Sequence, residues 1–149
     1  MIRPARPGEA ALLRTLVRRA YALYVPRMGK EPAPMLADYG ALIATGQVHV
    51  HVLEEDGAPT ALIVIYPKDD ALFVENIAVD PAAQGKGVGR ALLDFAEGEA
   101  RRLGLEALRL YTNAAMTENL AYYPARGFRE TGRREEDGYK RVFFEKRVG

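Results

Sequence analysis

The 149-residue chain contains no cysteine and no tryptophan, no serine appears in its sequence, and histidine occurs only twice. Without cysteine there is no disulfide, no thiolate metal site and no thiol nucleophile. Without serine there is no Ser-based acyl-enzyme, so a covalent nucleophile would have to be threonine, lysine, tyrosine or a carboxylate. Group transfer is therefore expected to run directly between two bound substrates. Excess charge of either sign is also missing: 21 basic against 20 acidic residues leave a net +1. That balance offers no field for nucleic acid and none for a basic partner. No apolar run approaches membrane-spanning length, and Met1-Ile2-Arg3-Pro4 is not an apolar leader. The expectation is a cytoplasmic protein with no membrane partner.

What is present is an ordinary globular composition, 48% apolar and 28% charged, at the size of one domain spanning 1–149. Leu12, Leu13, Leu16, Val17, Ala20 and Tyr24 recur at helical spacing after a Pro7-Gly8 start. Val25 to Pro34 reads as a loop, and Met35, Tyr39, Leu42 and Ile43 as one face of a shorter helix ending near Gly46. Val48, Val50 and Val52 alternate with His49 and His51, as in a half-buried strand. A hairpin turn at Glu55-Asp56-Gly57 leads to the continuously apolar Ala61–Tyr66, a strand covered on both faces. A third strand, Leu72 to Val79, completes an antiparallel meander. Beyond it come a helix stopped by Gly104, a strand from Leu105 to Thr112, and a short helix from Thr117 to Arg126 with Pro124 inside it. A last hairpin turns at Asp137-Gly138. The order predicts one α/β domain with a mixed sheet.

The meander delivers its third strand to Asp80-Pro81-Ala82-Ala83-Gln84-Gly85-Lys86-Gly87-Val88-Gly89-Arg90. Three glycines at alternate positions allow positive φ and leave N–H groups unobstructed by a Cβ. The helix that follows adds its own N-terminal N–H groups and dipole, which suits a phosphate or pyrophosphate. A Walker A loop would need Ser or Thr after Gly-Lys, and here Gly87 follows Lys86. A dinucleotide fingerprint would need G-x-G-x-x-G after the first strand of a parallel unit, not G-x-G-x-G after a meander.

Gln84-x-x-Gly87-x-Gly89 instead resembles the pyrophosphate turn of the GCN5-related N-acetyltransferases (GNAT). Asn119-x-Ala121-Tyr122-Tyr123-x-x-x-Gly127-Phe128 resembles that family's second signature, and Ile2-Arg3-Pro4-Ala5 its usual first strand. The resemblance covers essentially the whole chain. It implies a mixed, mostly antiparallel central sheet flanked by helices, with the strands ending at Val79 and Thr112 splayed around acyl-CoA. It implies acetyl-CoA as co-substrate, no metal, transfer to a primary amine, and it allows a homodimer. By the same carry-over, backbone groups of Ile77, Ala78 and Val79 face the pantetheine arm. Amides of Gly85, Lys86, Gly87, Val88, Gly89 and Arg90, after Gln84, hold the pyrophosphate, and Asn119 lies beside the arm. Lys86 and Arg90 read equally as phosphate partners or as solvated surface cations.

A lysine-like amine with pKa about 10.4 is deprotonated in only roughly one molecule per thousand at neutral pH, a penalty of about 4 kcal/mol. A base is therefore expected, and Glu75 is the candidate, its plain alternative being a carboxylate on an exposed strand face. Tyr123 matches the family's general-acid position, while Tyr122 beside it reads as core packing. Tyr24, Arg27, Met28 and Asn76, with Tyr21, Met35 and Tyr39, are candidates for the acceptor wall or for helix packing. His49 and His51 share a strand face without an evident third ligand, which reads as a solvated face. Arg133 to Asp137 reads as a solvated hairpin tip. A reading from another class is a CoA-binding sensor or accessory domain without turnover.

Overall fold

The computed structural model describes residues 1–149 throughout. Seven strands form one sheet in the order β1-β2-β3-β4-β5-β7-β6. They are β1 (Ile2–Pro4), β2 (Val48–His51), β3 (Ala61–Lys68), β4 (Ala71–Val79), β5 (Ala107–Asn113), β6 (Arg129–Glu136) and β7 (Tyr139–Arg147). Pairings β1–β2, β2–β3, β5–β7 and β6–β7 are antiparallel, whereas β4 and β5 run parallel. The helices are α1 (Ala10–Tyr21), α2 (Val25–Met28), α3 (Tyr39–Ala44), α4 (Val88–Arg102) and α5 (Thr117–Ala125). This is the mixed, mostly antiparallel architecture expected, including the short first strand that only the family resemblance pointed to.

The chain parts into two compact units that share β3, β4 and α4: residues Met1–Ile65 with Asn76–Phe95, and Tyr66–Glu75 with Ala96–Gly149. In the first unit, α1 turns Leu13, Leu16 and Val17 onto Val48, Val50, Leu62, Val64 and Ala78. Three- and four-residue spacing on the helix meets two-residue spacing on the strands, so both elements bury one face. The stretch expected to be a loop after Tyr24 holds the single turn α2. Pro26 starts it without sacrificing a bond, and Gly29, at φ 71°, closes it by donating to the Val25 carbonyl at 2.9 Å. The single helix expected over Met35–Gly46 is divided. A 3-10 turn (Ala33–Leu36) gives way to extended Ala37, and Asp38 then caps α3 by accepting from the Ala41 N–H at 3.1 Å. The tight hairpin expected at Glu55–Gly57 is a wider loop between β2 and β3, with a turn inside it.

In the second unit, β4 pairs with β5 from Ala71–Val74 against Ala107–Leu110. Strand β7 pairs with β5 over seven positions and with β6 on its other side. Asp137 and Gly138 both take positive φ, the hand a two-residue hairpin requires. Strand β6 is exposed along almost its whole length, as the charged hairpin suggested.

Leu62 is fully buried in the first core. Leu62→Ala is expected to cost about 3 kcal/mol through lost burial and a residual cavity. Chemical unfolding checks this, and a loss below about 1 kcal/mol would contradict the packing described.

Candidate active site

Beyond β4 the chain turns under local control. The Asp80 carboxylate accepts the Ala82 N–H at 2.9 Å and pairs with Arg19 at 3.2 Å, holding the 3-10 turn Pro81–Ala83 in place. Gln84 reaches back, its Nε2 donating to the Val79 carbonyl at 3.2 Å. Gly85 and Gly87 stand at φ 78° and 79°, a conformation that side chains strain to adopt. A Cβ at either would meet nothing within 4 Å, so glycine serves the backbone's hand there, and the space beside the turn is open. Lys86 and Arg90 are exposed at its rim, and α4 begins at Val88. A cavity of about 650 Å³ flanks the turn, its lining including His51, Thr60, Lys86, Gly87 and Val88.

Two peptide groups on the way into the turn share an edge. The Asp80 N–H donates to Thr60 at 2.9 Å. The carbonyl of Val79, trans to that N–H, therefore points away from β3, and the pleat carries Ile77 to the same side. The Ile77 carbonyl accepts from the Tyr21 hydroxyl at 3.0 Å. Ala78, between them, is buried in the core.

Asn76 is 6% exposed and bonded at both ends of its amide. Oδ1 accepts from Tyr21 at 2.7 Å, and Nδ2 donates to the Tyr39 hydroxyl at 3.0 Å. Tyr39 in turn donates to the Pro34 carbonyl at 2.6 Å. The residue expected at the acceptor thus forms a buried junction between β4, α1 and the α3 region. Tyr24 is buried, its ring 6.1 Å from that of Tyr21, with the Arg27 guanidinium 5.4 Å above it, and Met28 is half-buried nearby in sequence.

In the second unit, Glu75 is exposed on β4 but crowded enough that desolvation raises its carboxyl above the ordinary value, with Lys68 and Arg141 pulling it back down. Tyr66 is pushed up to about 12, first by burial and then by Glu75, and Tyr111 is raised chiefly by burial. Both tyrosines escaped the sequence reading. They come from other strands, and cross-strand register is not visible in a strand's own periodicity. Asn119 donates from Nδ2 to the Thr112 hydroxyl at 3.1 Å. Tyr123 is 5% exposed, its ring 5.5 Å from Tyr122, 5.5 Å from Phe128 and 5.8 Å from Phe144. Tyr122, expected to be core packing, is only half-buried, with the Arg126 guanidinium 5.5 Å over its ring, and it is Tyr123 that sits in the cluster.

The histidine face is not the solvated one expected. His49 packs 4.8 Å from Phe95 of α4, and His51 is bonded to Thr60 at 2.8 Å. No group of three or more His, Asp or Glu side chains is placed to hold a metal ion, and no helix is long and apolar enough to cross a membrane.

Comparison with known proteins agrees with this architecture. Residues 11–128 match the family model described as "Acetyltransferase (GNAT) family". Mycothiol acetyltransferase of Propionibacterium freudenreichii is 38% identical over 77 residues, which are 52% of this chain and 21% of that protein. The [ribosomal protein bS18]-alanine N-acetyltransferase of Escherichia coli is 35% identical over 78 residues, 52% of this chain and 53% of that one. The matched region thus spans about half, or less, of these curated relatives. Among solved structures, the PaiA N-acetyltransferase of Thermoplasma acidophilum in complex with coenzyme A superposes with a TM-score of 0.81. The superposition covers 99% of this chain and 98% of that one at 17% identity, a likeness of fold.

A carboxyl raised by desolvation favours folding when protonated and opposes it once ionised. Glu75→Gln is therefore expected to raise the melting temperature at neutral pH. The gain should be absent below the ordinary value of 4.5 and develop as pH rises through the raised native value. A gain that does not depend on pH would contradict the crowding of this carboxyl.

Proposed function

The chain belongs to the GNAT acetyltransferase family, and from that premise we propose that it moves an acetyl group from acetyl-CoA to a primary amine by direct attack in a ternary complex. The observation that carries this reading is the glycine turn at the end of β4. Its two positive-φ glycines leave open space, and a 15-residue helix begins directly behind them. Amides from Gly85 to Arg90, with the helix dipole, suit a pyrophosphate, and Lys86 and Arg90 add charge at the rim. The edge of β4 carrying the peptide groups of Ile77 and Val79 suits an extended pantetheine arm, and Asn119 is the side chain assigned beside it.

Acetyl-CoA supplies the activated thioester. Glu75, with its raised carboxyl, takes the proton that the attacking amine gives up, directly or through a water. The Val79 N–H donates to the carbonyl oxygen as charge gathers there. Tyr123 protonates the departing thiolate, a transfer between groups of similar basicity. The two relatives named above are an alanine N-acetyltransferase of a ribosomal protein and a mycothiol acetyltransferase, so relatives of this chain serve both protein and small-molecule acceptors. For this chain the acceptor class we assign is a primary amine that reaches Tyr24, Arg27 and Met28. Residues 1–149 act in this reading as one N-acetyltransferase domain.

The near-complete burial of Tyr123 favours a second reading, a CoA-binding domain without turnover. One experiment separates the two. Acetyl-CoA is mixed with a panel of primary amines and thiol release is followed, with no protein cysteine to give background. Turnover is expected, and Tyr123→Phe should lower it roughly a hundredfold while leaving acetyl-CoA affinity unchanged. Equal turnover in wild type and variant would remove Tyr123 from the acid role. Acetyl-CoA binding without any thiol release would favour the silent domain.

A further inference from the structure

Resting on the acetyl-transfer reading above, we propose that Tyr21 is a catalytic residue of the acceptor site, its phenolic oxygen accepting one N–H of the attacking amine and so aiming the nitrogen lone pair at the thioester. The placement comes from β4 itself. The Tyr21 hydroxyl lies 3.0 Å from the Ile77 carbonyl, on the edge assigned to the acyl arm, and 2.7 Å from Asn76 Oδ1. One hydroxyl hydrogen faces two acceptors, and both belong to β4. A phenol has a single O–H to donate. That hydrogen is committed to the strand, so what the oxygen can offer an amine is acceptance.

The oxygen is also well anchored. Tyr21 closes α1, directly after Ala20 and one turn beyond Val17, both buried in the core of the first unit. Its ring neighbours Tyr24, the buried member of the acceptor wall. Asn76, which receives its hydrogen, is itself held by Tyr39, and Tyr39 by the Pro34 carbonyl. The chain of bonds therefore fixes where the phenolic oxygen stands before any ligand arrives.

The proton count fits a primary amine. A neutral R–NH2 brings two N–H groups and one lone pair. As the C–N bond forms and the C–S bond breaks, one proton leaves through the base and the thiolate is protonated by the acid. The other N–H, held by Tyr21, stays in the amide product. A secondary amine has only one N–H, which must leave, so none remains for Tyr21.

The test compares benzylamine with N-methylbenzylamine at high concentration, using thiol release and separate calorimetry with acetyl-CoA. Wild type is expected to prefer the primary amine. Tyr21→Phe should lower kcat/KM for benzylamine ten- to a hundredfold and compress the primary-to-secondary ratio about tenfold. Its acetyl-CoA affinity should stay within about threefold. Leu62→Ala, which loosens the core of the same unit but leaves the Tyr21 hydroxyl and its partners in place, should lower the melting temperature and keep the wild-type ratio. An unchanged ratio in Tyr21→Phe overturns the proposal, and so does an equal compression in Leu62→Ala, which would make the effect one of stability alone. Wild-type protein that binds no acetyl-CoA, or turns over neither amine, defeats the acetyl-transfer reading itself, and this inference with it.

Discussion

A buried primary amide must find partners, and the way Asn76 finds them governs the first unit of this protein. Leaving one end of that amide unbonded would cost on the order of 1–3 kcal/mol. Tyr21 answers Oδ1 and Tyr39 answers Nδ2, so one side chain of β4 ties the strand to the end of α1 and the start of α3. The same bonds set the strand's outward edge. Because Tyr21 also donates to Ile77, satisfying Asn76 and orienting the peptide groups of Ile77 and Val79 are parts of one arrangement. The glycine turn continues from that edge, with Asp80 and Gln84 bonding back to the backbone they adjoin. The geometry of the turn is thus built on bonds within the fold.

The chemistry divides between neutral and charged groups in a consistent way. Backbone amides and a helix terminus make up the turn proposed for the phosphates, and such neutral donors need no counter-ion. Formal charges are kept at the rim, where Lys86 and Arg90 stay solvated. Glu75 is the exception. It stands among Tyr66 and Tyr111, and desolvation raises its carboxyl above the ordinary value. Asp80 shows the contrast: it accepts the Ala82 N–H and pairs with Arg19, and so caps the turn.

Much of this was legible in the residues. The alternation of Val48, Val50 and Val52, the doubly covered run Ala61–Ile65 and the stripe Leu13–Leu16–Val17 all fall where periodicity puts them, because burial on one face leaves a repeat in the chain. The glycine turn was legible for another reason: positive φ restricts which residues can occupy it. What failed were features decided across the fold. Proline and glycine around Val25–Gly29 looked like a loop but bracket a helical turn, since Pro at a start and Gly at an end suit a short helix equally well. The histidine face looked solvated because alternation says which residues share a face and not what covers it, and here α4 brings Phe95 against His49. Asn76 looked like a ligand group because a polar residue in a strand announces a partner without naming it. Tyr122 reads as core packing yet is only half-buried, because adjacent positions on a short helix differ by about 100° and the cluster takes Tyr123.

If the turn from Gln84 to Arg90 holds acyl-CoA, calorimetric titration of the protein with acetyl-CoA, beside ATP and NADH, reads it out. Acetyl-CoA is expected to bind in the micromolar range, about −8 kcal/mol, with both controls at least tenfold weaker. Absence of acetyl-CoA binding, or tighter binding of ATP or NADH, would contradict it, and the roles assigned to Glu75, Tyr123 and Tyr21 would fall together.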